Sequence, residues 1–536
     1  MQVALFSASC LATVTATAIT ITEWDFEADP LGVGVAENWA SVQHRPKLQR
    51  TLTSPGAWEA QGVGNETALE HHQYQGVGWY RKSLGAPPTV GDGGSVWLWI
   101  GGAPGGVMRS ANVYANGVHC GRHVGYIEPL EIELTAAVLL NRTDLVIAVA
   151  VDSRWNRTED PLWGAGSGWN PGAVGAGGWG GDGYSFGGYG GIIGNALVVV
   201  RQRAWIADSV HTSCKNSGRV GGDWRCVVAF SLVGDLHPAD QVSLTVCEWS
   251  SAATSTAAAC APGNATVVGG SAAARFAISV EIPAAKVWTP GTRAALADLY
   301  VANLTLLSGG GAGSTQLDLV STRFGVRSLT TDGARIIFNG DPLFLRGYGD
   351  DANYGFTLAP PMDKSYYLGQ LRGMKELGYN FVRFHTHSMP DVFHEAADEL
   401  GFLCDAEFAM SYAFPDPFGS PLNQAVRDTF NRSFTSIVFR RSHHPSMFAY
   451  VLSNEIQFAG TVVAEFEQLY HFAKQHDPER PCWFGDGSTV TSGMNVTALG
   501  CRNGAEAGNE HCFMDVWVAA SSHLVGRTSS FRPQGA

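Results

Sequence analysis

The run "MFAYVLSNEIQ" (447–457) sets an amide and an acid, Asn454 and Glu455, directly after seven apolar, aromatic residues that read as a buried strand. A carboxyl emerging from such a strand into a mostly apolar neighbourhood has its pKa raised, so it can deliver a proton near neutrality. An Asn-Glu pair can also cap a helix, but the strand before it favours chemistry. Other strand-like runs end in the same way. Asp350 and Asp351 follow "FLRGYG", Arg383, His385 and His387 stand in "VRFHTH", Asp405 and Glu407 in "CDAEF", and Asp486 in "FGDGS". Hydrolysing a glycosidic bond needs one carboxylic acid at the leaving oxygen and a second carboxylate across the sugar. Glu455 suits the first role, and Asn454 can hydrogen-bond a hydroxyl beside the reacting carbon. Of the two histidines, His385 shares a strand face with Arg383, whereas His387 joins them only if the strand continues past Thr386.

The elements that must position these groups begin near residue 328. Apolar runs at 343–348, 380–384, 402–408, 448–453, 482–485 and 514–518 alternate with helical stretches such as 365–378 and 389–401, which close on Gly378 and Gly401. Strand–helix repetition predicts a parallel α/β unit, and the number of repeats suggests a (β/α)8 barrel, whose chemistry sits at the carboxyl ends of its strands. Residues 23–202 read differently, as short alternating strands. Runs at 95–102, 111–121 and 144–154 carry the pattern, and Asn116-Gly117 is a hairpin turn because both residues tolerate positive φ. A β-sandwich is expected there, and a smaller one over 203–327. Half of residues 164–191 are glycine, interrupted by Trp169, Trp179, Tyr184, Phe186 and Tyr189. No Gly-Lys-Ser/Thr follows, so this is no phosphate loop; it is a flexible insertion or an aromatic loop that stacks on sugars.

Composition narrows the class. Of 536 residues 65 are glycine, well above the ~7% of average proteins, which points to turn-rich β architecture. A net charge of −13 leaves no electrostatic footprint for nucleic acid. No stretch beyond the amino terminus approaches the ~18 apolar residues of a membrane span. Residues 2–22 are modestly apolar, with Ala16-Thr17-Ala18 as a cleavage site but no preceding Lys or Arg. They read as a signal peptide (1–18) or as a first strand. Seven Asn-x-Ser/Thr sequons (Asn65, Asn141, Asn156, Asn264, Asn303, Asn431, Asn495) favour the signal. The expected location is therefore secreted or secretory-pathway, lysosome-like, and cytoplasmic if that stretch is no signal. Ten cysteines show no zinc spacing; Cys214/Cys226 and Cys247/Cys260 are spaced as local disulfides, with buried free thiols as the alternative.

In order along the chain, "GVGWYRKSL" (76–84), "VYANGVHCGRHVGYIEPLEIELT" (113–135), "GYGGIIGNALV" (188–198), "TRFGVRSLTTDGARIIFNGDPLFLRGYG" (322–349), "MKELGYNFVRFHTHSMP" (374–390), "DELGFLCDAEF" (398–408) and "RRSHHPSMFAYVLSNE" (440–455) together resemble glycoside hydrolase family two, the group of β-galactosidases, β-glucuronidases and β-mannosidases. The resemblance implies a jelly-roll sugar-binding sandwich, an immunoglobulin-like sandwich and a catalytic TIM barrel, hence a retaining exo-β-glycosidase acting on β-linked oligosaccharides or glycoconjugates. It implies Glu455 as acid/base, Asn454 as partner of the 2-hydroxyl, and Arg383 and Glu407 around the subsite; Asp350 and one of His385 and His387 join them as strand-end candidates. No cofactor or metal is implied, carbohydrate is the partner, and oligomerisation is left open. One departure is "RFHTHSMP", where the family has Arg-x-x-His before Tyr-Pro. A larger one is that only 81 residues follow Glu455, with about six of eight barrel strands over 328–536 and no strand-end Glu for the nucleophile; Glu506 and Glu510 sit in a polar glycine-rich loop. A truncated, inactive or poorly soluble chain is the expectation. A non-catalytic carbohydrate-binding fragment is the alternative, and a metal-dependent hydrolase using His385, His387, His443 and His444 a weaker one.

Overall fold

A computed structural model of the chain describes residues 18–490 with interruptions, chiefly 45–49, 65–73, 155–188 (Glu159 excepted), 217–221, 250–259, 268–274, 292–295, 351–353, 409–423, 454–456 and 484–488. Residues 1–17 of the predicted signal peptide, four of the five aromatics of the glycine-rich stretch and the run at 514–518 lie outside the described residues.

The first unit is two antiparallel sheets of six and four strands packed face to face. Its strands bury alternate residues, as the period-2 pattern requires: Ser110–Ala115 alternates strictly between half-buried and buried positions. That strand turns into Val118–Val124 through Asn116 and Gly117, whose φ values of 51° and 82° define the expected hairpin. The four-stranded sheet opens with Ala18–Ile21 paired to Asn195–Arg201, so regular structure starts before residue 23. Tyr189 is buried in the core rather than displayed on a loop.

The second unit is also a pair of antiparallel sheets. Disulfides Cys214–Cys226 and Cys247–Cys260 each join residues directly opposite on neighbouring strands. Of the sequons, Asn303 lies in the strand Tyr300–Ser308, where its side chain accepts a hydrogen bond from Ser321, and Asn431 lies within the helix Gln424–Arg441.

From Gly347 onward five strands run parallel, in the order Gly347–Asp350, Phe381–Phe384, Leu403–Glu407, Met447–Val451 and Cys482–Trp483. Helices Lys364–Glu376, Asp391–Leu400, Gln424–Arg441 and Val462–His476 intervene between successive strands. The first begins at Asp363, whose carboxylate accepts from the Ser365 amide at 2.9 Å. The second ends on Gly401 at φ 63°, where a Cβ would meet the Thr289 carbonyl at 2.8 Å. One expectation fails here. The run 343–348 is not the first parallel strand, because Asp341–Leu343 folds back in an antiparallel hairpin on Arg335–Phe338. Asn339 and Gly340, both at positive φ, make that turn, and the parallel strand starts only at Gly347.

Charge clamps tie the units together. Glu128 of the first sandwich, almost fully buried, accepts from Arg432 and Ser433 at 2.6 Å each. Arg323 and Lys364 converge on Glu399 at 2.6 and 2.8 Å and lie 3.6 and 3.8 Å from Glu395. Burial dominates at Glu395 and pushes its carboxyl up to about 8 from an ordinary 4.5, the two cations only partly opposing it. The carboxyl is thus protonated more readily folded than unfolded, and between pH 4.5 and 8 stability falls as pH rises. Glu395→Gln should flatten that fall, so the variant's melting temperature relative to wild type should be higher at pH 8 than at pH 5. An unchanged difference would place the proton elsewhere.

Candidate active site

Because the five strands are parallel, their carboxyl ends share one rim, and the predicted residues can be followed there. Arg383 is the third residue of its strand. Its Nε donates to Glu407 Oε2 at 3.1 Å and its Nη2 to Oε1 at 3.4 Å. Glu407 closes the next strand, is fully buried and stands opposite Val451 in the ladder. Ser388 Oγ donates to the Glu407 carbonyl at 3.1 Å, fixing the backbone that carries the acid.

The two histidines part company. The strand ends at Phe384, yet His387 turns back into the protein: it is fully buried and its Nε2 lies 3.6 Å from Asp350 Oδ1. Its Nδ1 meets the His385 carbonyl at 2.9 Å, and its ring packs edge-on against Phe384 at 5.2 Å. His385 is half-buried, and its amide donates to the Asp350 carbonyl at 2.9 Å. The face argument favoured His385 as the inward residue. A bend at the strand end, absent from a straight-strand projection, brings His387 to the acid.

Two groups come into view that the sequence did not single out. Tyr354, buried and lifted well above the ordinary tyrosine pKa by burial, donates its hydroxyl to Asp350 Oδ2 at 3.4 Å. Ser388 supports Glu407 as described. Neither sits in a strand, and although Ser388 falls within the 374–390 motif, strand-end spacing carried no signal for either of them. Asp405, by contrast, is buried within its strand, and its Oδ1 accepts from the Phe384 amide, holding two strands together.

Asn454, Glu455, Asp351 and Asp486 lie outside the described residues, but the chain leading into the first two does not. Val451 is laddered to Glu407, the Phe408 amide donates to the Val451 carbonyl at 2.7 Å, and Leu452 and Ser453 are fully buried. The described end of this strand, through Ser453, therefore lies at the same rim as Arg383–Glu407.

The other histidines sit at the opposite end. His443 and His444 precede Met447 at the amino end of its strand, their rings tilted and 4.1 Å apart, with His394 5.1 Å from His444. His444 Nδ1 meets Asp398 Oδ2 at 2.6 Å, and the Ser446 amide donates to Oδ1 at 3.0 Å. Burial holds all three imidazoles well below 6.5. Parallel strands put this cluster and the His385/His387 pair at opposite ends of the sheet, so the four-histidine metal set is not assembled. Among the described residues no group of three or more His, Cys, Asp or Glu side chains is placed to hold a metal.

The described chain thus comprises two layered sandwiches followed by a parallel α/β sheet, with an Arg–carboxylate pair and a His–carboxylate pair at its carboxyl rim. The chain is similar in sequence to proteins named β-glucuronidase and β-galactosidase. It is 23% identical over 475 residues to a β-glucuronidase of Paenibacillus borealis, covering 85% of this chain and 71% of that one. It is 24% identical over 215 residues to a β-galactosidase of Photobacterium profundum and 26% over 222 residues to a putative β-glucuronidase of Formosa agariphila. Those two matches span only 19% and 20% of the relatives' lengths. Among solved structures, a β-glucuronidase from Ruminococcus gnavus in complex with C6-substituted uronic isofagomine superposes with a TM-score of 0.68 at 18% identity. It covers 88% of this chain and 72% of that one, a likeness of fold. No family model matches the chain.

Proposed function

We propose that the protein hydrolyses O-glycosyl bonds as a retaining exo-β-glycosidase, with Glu455 as general acid/base and Asn454 binding the hydroxyl beside the reacting carbon. The parallel sheet is read as part of a (β/α)8 barrel over 328–536, preceded by a jelly-roll sandwich (23–202) and an immunoglobulin-like one (203–327), in a chain of the secretory pathway. The relatives' names point to β-glucuronides or β-galactosides as the substrate class. The observation that carries this reading is the rim itself. Glu407 is locked by Arg383, and the strand laddered to Glu407 runs directly into Asn454-Glu455.

The described residues have distinct parts to play. Arg383 and Glu407 form a rigid base below the sugar, each fixing the other's rotamer. Asp350, braced by Tyr354 and facing His387, offers acceptor oxygens for sugar hydroxyls. Because Glu407 is engaged by a guanidinium, it serves as a positioning residue rather than as the nucleophile, which a retaining reaction needs about 5–5.5 Å from the acid/base.

A panel of aryl β-glycosides followed by proton NMR tests the reading. In a protein that also carries the nucleophile, turnover of the β-glucuronide or β-galactoside with the β-anomer released first is expected. Release of the α-anomer first, or turnover of α-glycosides alone, would remove it.

A further inference from the structure

Away from the rim, all three units meet around a cleft of about 270 Å³. The first sandwich contributes Trp97, Glu131 and Arg201, the second Trp205, and the helix Gln424–Arg441 contributes Phe439 and Arg440. Arg440 is next to the end of that helix, seven residues ahead of the strand Met447–Val451. The cleft therefore lies toward the amino ends of the parallel strands, on the side opposite Arg383 and Glu407.

The Arg201 guanidinium lies 5.1 Å from the Trp97 ring and 4.9 Å from the Trp205 ring, and the two indoles meet edge-on at 5.9 Å. Glu131 is the one carboxylate in the lining, and it faces two arginines, at 3.9 Å from Arg201 and 3.5 Å from Arg440. Two guanidiniums face one carboxylate here, and Arg440 Nη2 donates to Glu131 Oε1 across that 3.5 Å. The lining thus carries an excess positive charge on a chain whose net charge is −13. It also keeps aromatic walls beside that charge.

We propose that this cleft is a second carbohydrate site, separate from the hydrolytic one, that binds a uronic acid unit of an acidic oligosaccharide. The carboxylate of the sugar takes a guanidinium fork of Arg440 or Arg201 in two parallel hydrogen bonds. Its C–H face rests against the aromatic walls of Trp205 and Phe439. A cavity slightly below the ~300 Å³ lower end of ordinary ligand pockets suits one or two sugar rings rather than a long chain. Glu131 competes for the same arginines, so the ligand displaces Glu131 from an existing pair instead of entering a vacant charge. The proposal needs no turnover and stands whether or not the hydrolytic reading does.

Isothermal titration of the purified protein with a hyaluronan tetrasaccharide, with cellotetraose as the neutral counterpart, tests it at low and physiological salt. The acidic sugar should bind at least tenfold more tightly than the neutral one, and more weakly as salt rises. Arg440→Gln should weaken the acidic sugar at least tenfold. Glu131→Gln, which removes the competing carboxylate, should tighten it about threefold, a gain that a folding defect cannot produce. Equal binding of the two sugars, or affinity for the acidic one unchanged by both substitutions, would overturn the proposal.

Discussion

Arg383→Met is expected to destabilise the parallel unit by about 3 kcal/mol, and Glu407→Gln by much less. The asymmetry follows from where the two partners sit. Glu407 is fully buried, while a quarter of the Arg383 side chain reaches solvent. Removing the arginine strands a carboxylate in the interior, and breaking a buried pair in this way costs about 3–5 kcal/mol. Water reaching the Arg383 side of the pair keeps the cost near the lower end. Replacing the carboxylate by an amide leaves a guanidinium that can turn outward, and the amide oxygen still offers it an acceptor, so about 1 kcal/mol is expected. The double replacement Arg383→Met with Glu407→Met should cost less than Arg383→Met alone, because no uncompensated charge remains. Denaturant unfolding of the four proteins checks all three statements. Equal costs for the two single variants, or a double variant no more stable than Arg383→Met, would mean that the pair is not the buried unit its geometry shows.

The same pair marks how far the sequence could be read. Arg383 and Glu407 were both legible as rim residues because each follows an apolar run bounded by a helical stretch, and the ladder aligns those runs. The helices over 365–378 and 389–401 were legible too, since their glycine stops coincide with positive-φ positions at Gly378 and Gly401. Two things escaped. The first parallel strand was displaced because 343–348 is apolar enough to pass for a strand, while the turn at Asn339-Gly340 commits Asp341–Leu343 to an antiparallel partner. Register of that kind is decided by a turn residue, not by hydrophobic pattern. The inward histidine also escaped, since His387 reaches Asp350 by a bend after Phe384. Alternation along a strand says nothing about side chains once the strand has ended.

Clamps between units were the least legible feature. Glu128 meets Arg432 across 304 residues of sequence, and Arg323 meets Glu399 across 76. Each half is an unremarkable charged residue in its own segment. Only the docking of the sandwiches onto the helices turns them into buried partners, and that docking is a matter of shape.

Glu455→Gln is expected to reduce turnover of glycosides with poor leaving groups by about 10²–10⁴-fold, the usual worth of a positioned general acid. Glutamine matches the carboxyl in size and can hydrogen-bond, but it cannot give a proton to the departing oxygen. A leaving group that is already a stable anion needs no such proton, so formation of the glycosyl-enzyme from a dinitrophenyl glycoside should be nearly unaffected. The same variant should lose the basic limb of the pH–rate profile, since that limb reports deprotonation of the acid. It should accumulate the intermediate from activated substrates, because the water that releases the sugar now lacks its base. A small anionic nucleophile such as azide needs no base, and its addition should speed that release and yield the β-glycosyl azide. The comparison of leaving groups is the decisive measurement, since a merely structural Glu455 would lower both substrates by the same factor and leave the shape of the pH profile unchanged.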